Sequence, residues 1–337
     1  MKLKDAQALL THIAAKVQPL LPQGVLPKYI PQLTRVNQMQ FGMAFITLNG
    51  QEAFVGDADV SFSIQSISKL FALKLALERV GDDVWSRVGR EPSGTPFNEL
   101  VQVDHEAGAT RNPFVNAGAL VVTDILCSRF AQPELALLQN LRVGAGNEKI
   151  DIDHRVMRSE RESCHRNAAI AHLLKSYGSI RNPVESVLDT YCWQCALAMT
   201  ARQVARCALP LAADDGRSVA GTHDSLKATQ RHSVVALMLT CGTYDAAGDF
   251  AARVGLPMKS GVGGGIVAVI PGVGTLCSWS PGLDDSGNSI AAARAIEIFA
   301  SHTGLSLLGA REWSGKNPEA DGNRLFSLNR TESPTDQ

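Results

Sequence analysis

Ser61-Phe62-Ser63-Ile64-Gln65-Ser66-Ile67-Ser68-Lys69-Leu70-Phe71-Ala72-Leu73 is the stretch around which the chain is organised. Apolar residues at Ile67, Leu70, Phe71, Leu73, Leu75, Ala76, Leu77 and Val80 predict a buried helix over residues 66–80 rather than a strand. Residues three apart share a helix face, so the Lys69 amine is expected to reach the Ser66 hydroxyl. A serine in the first turn also meets free backbone N–H groups and the positive end of the helix dipole, which favours an oxyanion. A lysine among apolar neighbours gives up its proton more readily and becomes a base. Ser-x-x-Lys is the nucleophile-and-base pair of serine acyl-transfer enzymes. Of the lysines in the chain, only Lys69 has a serine three residues before it. Taken alone, the pair also fits a serine N-cap and a snorkelling lysine.

Before this stretch, Met1 to Leu10 reads as the start of a charged amphipathic helix over 5–18, not as a signal peptide. Prolines 19, 22, 27 and 31 mark a loop. Phe41–Leu48 and Gln51–Gly56 read as two strands joined by Asn49-Gly50, a strong hairpin signal. After it, residues 81–234 are mostly helical in pattern. The last third changes again. Gly261–Ile270 leads into a strand, Pro271-Gly272-Val273-Gly274 is a turn, Thr275–Ser280 is a second strand, and 289–300 is a closing helix. Hairpins near both ends bracket the helices, so the simplest assembly is α+β: one antiparallel sheet built from both chain ends, flanked by helices, with a helical lobe to one side. The expected domain is residues 1–310, followed by a polar, loosely held tail over 311–337.

Composition excludes several classes. The chain has 32 basic and 33 acidic residues and a net charge of −1, so nothing draws it generally to nucleic acid or an anionic membrane. No run of about 18 apolar residues is present, so no spanning helix is expected. The seven cysteines are odd in number and scattered, which points to free thiols in a reducing cytoplasm. Cys192-Trp193-Gln194-Cys195 has no second pair or histidine partner and reads as thiols on a helix. The histidines show no metal-ligand spacing, so neither metal nor organic cofactor is expected.

Lys259-Ser260-Gly261-Val262-Gly263-Gly264-Gly265 does not match a nucleotide loop, because the spacing is wrong and a strand follows where a helix should. A Lys-Ser-Gly triplet on a strand instead fits the third motif of Ser-x-x-Lys enzymes, where small residues let substrate lie along the strand. The chain thereby resembles the bacterial and mitochondrial glutaminases, serine-dependent L-glutamine amidohydrolases of β-lactamase-like or penicillin-binding-protein-like fold. The resemblance is carried by Tyr29–Leu33, Ser63–Lys69, Asn112–Ala119, Glu160–Asn167, Tyr191–Cys195, Cys241–Asp245, Lys259–Ile266 and Trp279–Leu283, in the family's order over residues 25–305. The polar tail departs from it, and no ankyrin-like or sulfate-transporter-type domain is appended.

What the resemblance implies is specific. Ser66 would be the nucleophile and Lys69 its base, with Tyr191 and Tyr244 relaying a proton to the leaving ammonia. The N–H groups of Ser66 and Val262 would form the oxyanion hole. Glu160 would take the α-ammonium of L-glutamine, with Tyr29 beside it, while Asn116 and Asn167 fix the α-carboxylate. Lys259, Ser260 and Gly261 would support the site. A homo-oligomer, dimer or tetramer, is implied as well. Read singly, Asn116 also fits a helix cap, Tyr191 and Tyr244 fit packed aromatics, and Glu160 fits a pair with Arg158 or Arg161. A penicillin-recognising hydrolase or esterase of the same fold would share Ser66, Lys69 and Lys259 but would not need Glu160, Asn116, Asn167 and Tyr244. A non-catalytic glutamine sensor would need no Ser66–Lys69 pair.

Overall fold

The computed structural model describes residues 3–94, 99–213 and 226–308; the tail from 311 lies outside them. Helix α1 (Leu3–Val17) precedes the hairpin of β1 (Gly42–Thr47) and β2 (Glu52–Gly56), and Gly50 at its tip has a positive φ of 80°. Strand β3 (Phe62–Ser63) and helix α2 (Ser68–Val80) follow. Then come α3 (Val101–His105), α4 (Asn116–Arg129), α5 (Pro133–Ala145), β4 (Asp151–Ile152), α6 (His154–Ser163), α7 (His165–Ser176), α8 (Val184–Cys195), β5 (Leu197–Met199) and α9 (Ala201–Ala208). Helices α10 (Ala228–Cys241) and α11 (Ala247–Arg253) carry the helical run beyond residue 234. Strands β6 (Met258–Ser260), β7 (Gly265–Ile270) and β8 (Gly274–Trp279) and helix α12 (Ile290–Thr303) complete the described chain.

The main sheet runs β2-β1-β8-β7-β6, antiparallel throughout, so strands from both chain ends meet at the β1–β8 seam. In that seam Gly42 faces Trp279 and Thr47 faces Gly274. Successive side chains leave a strand on opposite faces. Met43, Phe45, Ile266, Ala268 and Leu276 therefore pack with α1 and α12, while Ala44, Ile46, Val267, Val269, Cys277 and Trp279 join the core of the helical side. Both faces are covered, which explains why every residue of β7 is apolar or Gly and buried. Helix α2 is surrounded in the same way and is buried from Ser68 to Leu77.

A second sheet has three strands in the order β3-β5-β4. Sequence reading has no signal for it, because strands of two or three residues carry no period. Its role is positional. Met199 pairs with Phe62, and the Ile64 N–H donates to Leu197 O at 2.8 Å, fixing the chain just before Ser66. Phe62 stacks on Trp279 with ring centres 5.0 Å apart, and the Trp279 indole donates to Gly263 O at 3.0 Å. That bond holds the glycine turn between β6 and β7. The strand proposed from Gly261 begins only at Gly265, because Gly261–Gly264 is the turn itself. A Cβ on Gly263 would lie 1.9 Å from Ser63 O, so the turn packs backbone to backbone against the segment that leads to Ser66.

Candidate active site

Ser66 lies in a 3₁₀ turn, Gln65–Ile67, and the α-helix begins only at Ser68. The predicted helix over 66–80 is thus a 3₁₀ turn followed by α2. The reason is the change of direction from β3 into α2. Gln65 takes it up with φ of +48°, in the left-handed region where non-glycine residues are rare. Such conformations persist where the surroundings hold them and cluster at functional sites. Here Gln65 is buried, and its Nε2 donates to Ser63 Oγ at 3.1 Å; its side chain also hydrogen-bonds Glu160.

Lys69 is 2% exposed. Its Nζ donates to Asn116 Oδ1 at 2.6 Å and to Phe114 O at 3.2 Å, and it stands 5.9 Å from the centre of the Tyr191 ring. No bond to Ser66 is among these. Burial pulls the Lys69 pKa down to about 8, against the opposing pull of Cys195 and Glu160. Asn116 opens α4 without capping it, and its Nδ2 donates to Asn167 Oδ1 at 2.8 Å. The Tyr191 hydroxyl, on α8, donates to the same Asn116 Oδ1 at 3.4 Å.

Glu160 projects from α6, whose N-cap Asp153 accepts from the N–H groups of Arg155 and Val156. Among the described residues it makes no ion pair with Arg158 or Arg161. Arg161 turns away to Glu185 and Asp189. Glu160 is 8% exposed, and its Oε2 has no hydrogen-bond partner among the described residues. Burial raises its pKa to about 7, with the Gln65 hydrogen bond and the Lys69 charge opposing. A buried carboxylate oxygen with no partner is costly unless a ligand supplies one.

Tyr244 closes the other side. Its φ is +56°, its hydroxyl donates to Ser260 O at 3.4 Å, and it also hydrogen-bonds Ser66 and the Val262 N–H. Burial pushes this phenol up to about 12, with those hydrogen bonds opposing, so it stays protonated at neutral pH. Lys259 and Ser260 are on β6, and a Cβ on Gly261 would stand 3.2 Å from the Ser66 nitrogen. Tyr29, 57% exposed, lies at the rim, within electrostatic reach of the Tyr244 and Glu160 side chains.

Ser66, Lys69, Asn116, Glu160, Asn167, Tyr191 and Tyr244 therefore form one linked cluster, with Val262 and the Lys-Ser-Gly strand against it and Tyr29 at its edge. Two participants have no sequence-assigned role. Gln65 stands inside the decisive stretch, but its left-handed backbone is invisible in the letters. Phe114 acts through a carbonyl, which every residue has.

A family model described as Glutaminase matches residues 24–308. A glutaminase of Paraburkholderia phytofirmans is 51% identical over 300 residues, covering 89% of this chain and 98% of that one. A glutaminase of Ralstonia nicotianae is 51% identical over 304 residues, covering 90% and 99%. Among solved structures, the covalent complex of a Bacillus subtilis glutaminase with 5-oxo-L-norleucine, formed by reaction with 6-diazo-5-oxo-L-norleucine, superposes with a TM-score of 0.79 at 32% identity, covering 90% of this chain and 99% of that one. The fold is accordingly β-lactamase-like. Among the described residues no helix is long and apolar enough to cross a membrane.

Proposed function

This chain belongs to the glutaminase family and is a glutaminase, and we propose that it works through a glutamyl-serine intermediate on Ser66. The observations that support it are a buried Lys69, its pKa lowered to about 8, three residues after Ser66, and in the same cluster a buried Glu160 oxygen with no hydrogen-bond partner among the described residues. Glu160 takes the α-ammonium of L-glutamine, and Asn116 and Asn167 take the α-carboxylate. Lys69 accepts the Ser66 proton as Oγ attacks the side-chain carboxamide carbon. The N–H groups of Ser66 and Val262 hold the resulting oxyanion. The C–N bond then breaks as the proton taken up by Lys69 is relayed through the phenols of Tyr191 and Tyr244 to the leaving nitrogen, which departs as ammonia and returns Lys69 to its neutral form. Water attacks the ester with Lys69 again as base, Ser66 recovers its proton, and glutamate departs.

Ammonia release from L-glutamine, measured beside a β-lactam and a simple ester, tests the reading. Turnover of glutamine alone is expected; preferential β-lactam or ester hydrolysis would favour a penicillin-recognising hydrolase. We also read the protein as a cytoplasmic homo-oligomer. Its free cysteines support a reducing compartment, and sedimentation velocity checks the assembly.

The pH dependence has a definite sign. Lys69 must be neutral to act as a base and Glu160 ionised to bind an ammonium, so both must lose a proton. With values of about 8 and about 7, kcat/KM should climb steadily from near pH 6 to near pH 9. The apparent midpoints belong to the Lys69–Glu160 pair. A profile that is flat or falls across this range would remove both assignments.

A further inference from the structure

Lys259 is fully buried on β6, and among the described residues it forms no ion pair. Its Nζ donates to Gly242 O at 3.2 Å and to Ser260 O at 2.6 Å. It lies 4.8 Å from the centre of the Tyr244 ring and 5.6 Å from that of Phe114. Gly242 and Ser260 bracket Tyr244. The Ser260 N–H donates to Gly242 O at 3.1 Å, and Ser260 O accepts the Tyr244 hydroxyl. A Cβ on Gly242 would be 1.7 Å from Met258 O, so this turn lies flat on β6. Between the two clamped carbonyls, Tyr244 keeps its positive φ, a conformation that needs outside support.

We propose that Lys259 is a positioning residue, which clamps the Gly242–Tyr244 turn to β6 and so holds the Tyr244 phenol against Ser66. This rests on the reading of Tyr244 as the proton-relaying phenol. Two donors suffice for the two carbonyls, so the side chain needs no positive charge. Burial, and next the nearby charge of Lys69, favour the neutral amine, with Cys241 opposing. The clamp also explains why a lysine occupies a place where no acid answers it. An apolar side chain would fill the volume but give up both amine bonds, leaving the turn on the Ser260 N–H to Gly242 O and the Asn288 amide to Thr243 O.

The test is a double-mutant cycle on glutamine hydrolysis with the full chain. Tyr244→Phe alone is expected to lower kcat by about 10²–10⁴-fold, as for loss of a proton-transfer group. Lys259→Met is expected to lower kcat by roughly 10–100-fold with KM within about threefold, because the phenol is displaced while substrate contacts stay. Lys259→Met combined with Tyr244→Phe should fall within about threefold of Tyr244→Phe, since a residue that acts only through the phenol has nothing left to lose. Multiplying losses, or a raised KM with kcat kept, overturn the proposal. Full activity of Tyr244→Phe sinks the reading of Tyr244 and the clamp with it, and is told apart from the other failures by that single variant. If Lys259→Met does not fold, Lys259→Gln, which keeps amide N–H donors, enters the same cycle with the same criteria.

Discussion

Ser66→Ala is expected to lower kcat for glutamine by about 10⁴-fold or more, with the thermal melt almost unchanged. The nucleophile's oxygen forms the bond that the reaction passes through, so no neighbour replaces it. Lys69→Ala should fall nearly as far, and the double variant scarcely further, because a nucleophile and its base fail as a unit. The fold should survive the serine change. Ser66 is 7% exposed, and the side-chain contact that goes with it, to the Tyr244 phenol, is worth about 1 kcal/mol. A second readout needs no turnover. Reaction with 6-diazo-5-oxo-L-norleucine should add one adduct to the wild-type chain, mapped to the Ser66 peptide, and none to Ser66→Ala. Robust hydrolysis by the purified variant, or an adduct on another residue, would move the nucleophile elsewhere.

The Ser66–Lys69 pair is legible in the sequence because its relation is local. A spacing of three puts Ser66 and Lys69 on successive turns whatever the rest of the chain does. The main sheet is legible for a related reason: Asn49-Gly50 and the Gly-rich turns punctuate strands long enough to show a pattern. Glu160, Asn116 and Asn167 are different. Alone, each fits a cap or a surface pair, and only their joint order in a family-like series points to one site. In the fold, α6, α4 and α7 bring them together across the helical side, a long-range outcome that periodicity does not encode. The least legible parts are backbone facts. The left-handed Gln65 and Tyr244, the carbonyl of Phe114 and the short β3-β5-β4 sheet leave no mark in residue type. Yet they place Ser66, Lys69 and the phenol.

Glu160→Gln is expected to cost about 2–5 kcal/mol in kcat/KM for glutamine, the range for removing one partner of a buried charge pair, or roughly thirty- to several-thousand-fold. The change keeps the size of the side chain and an oxygen to accept from Gln65, so it isolates the charge. Glu160 Oε2 is buried with no partner among the described residues, and an ammonium would supply one by a charge-assisted hydrogen bond. The amide offers that ammonium a weaker acceptor and no countercharge. Glutamine acylated on its α-nitrogen separates recognition from architecture. It carries no ammonium, so wild type should already use it poorly, and the variant should do no worse. The pH profile supplies a second separation. Without an ionising group at position 160, the limb near pH 7 should vanish and a single Lys69 limb should remain, shifted below about pH 8 because the Glu160 charge no longer holds that pKa up. An equal loss on both substrates, with the full pH profile retained, would make Glu160 a prop for Gln65 and the Ser66 turn rather than the reader of the amine.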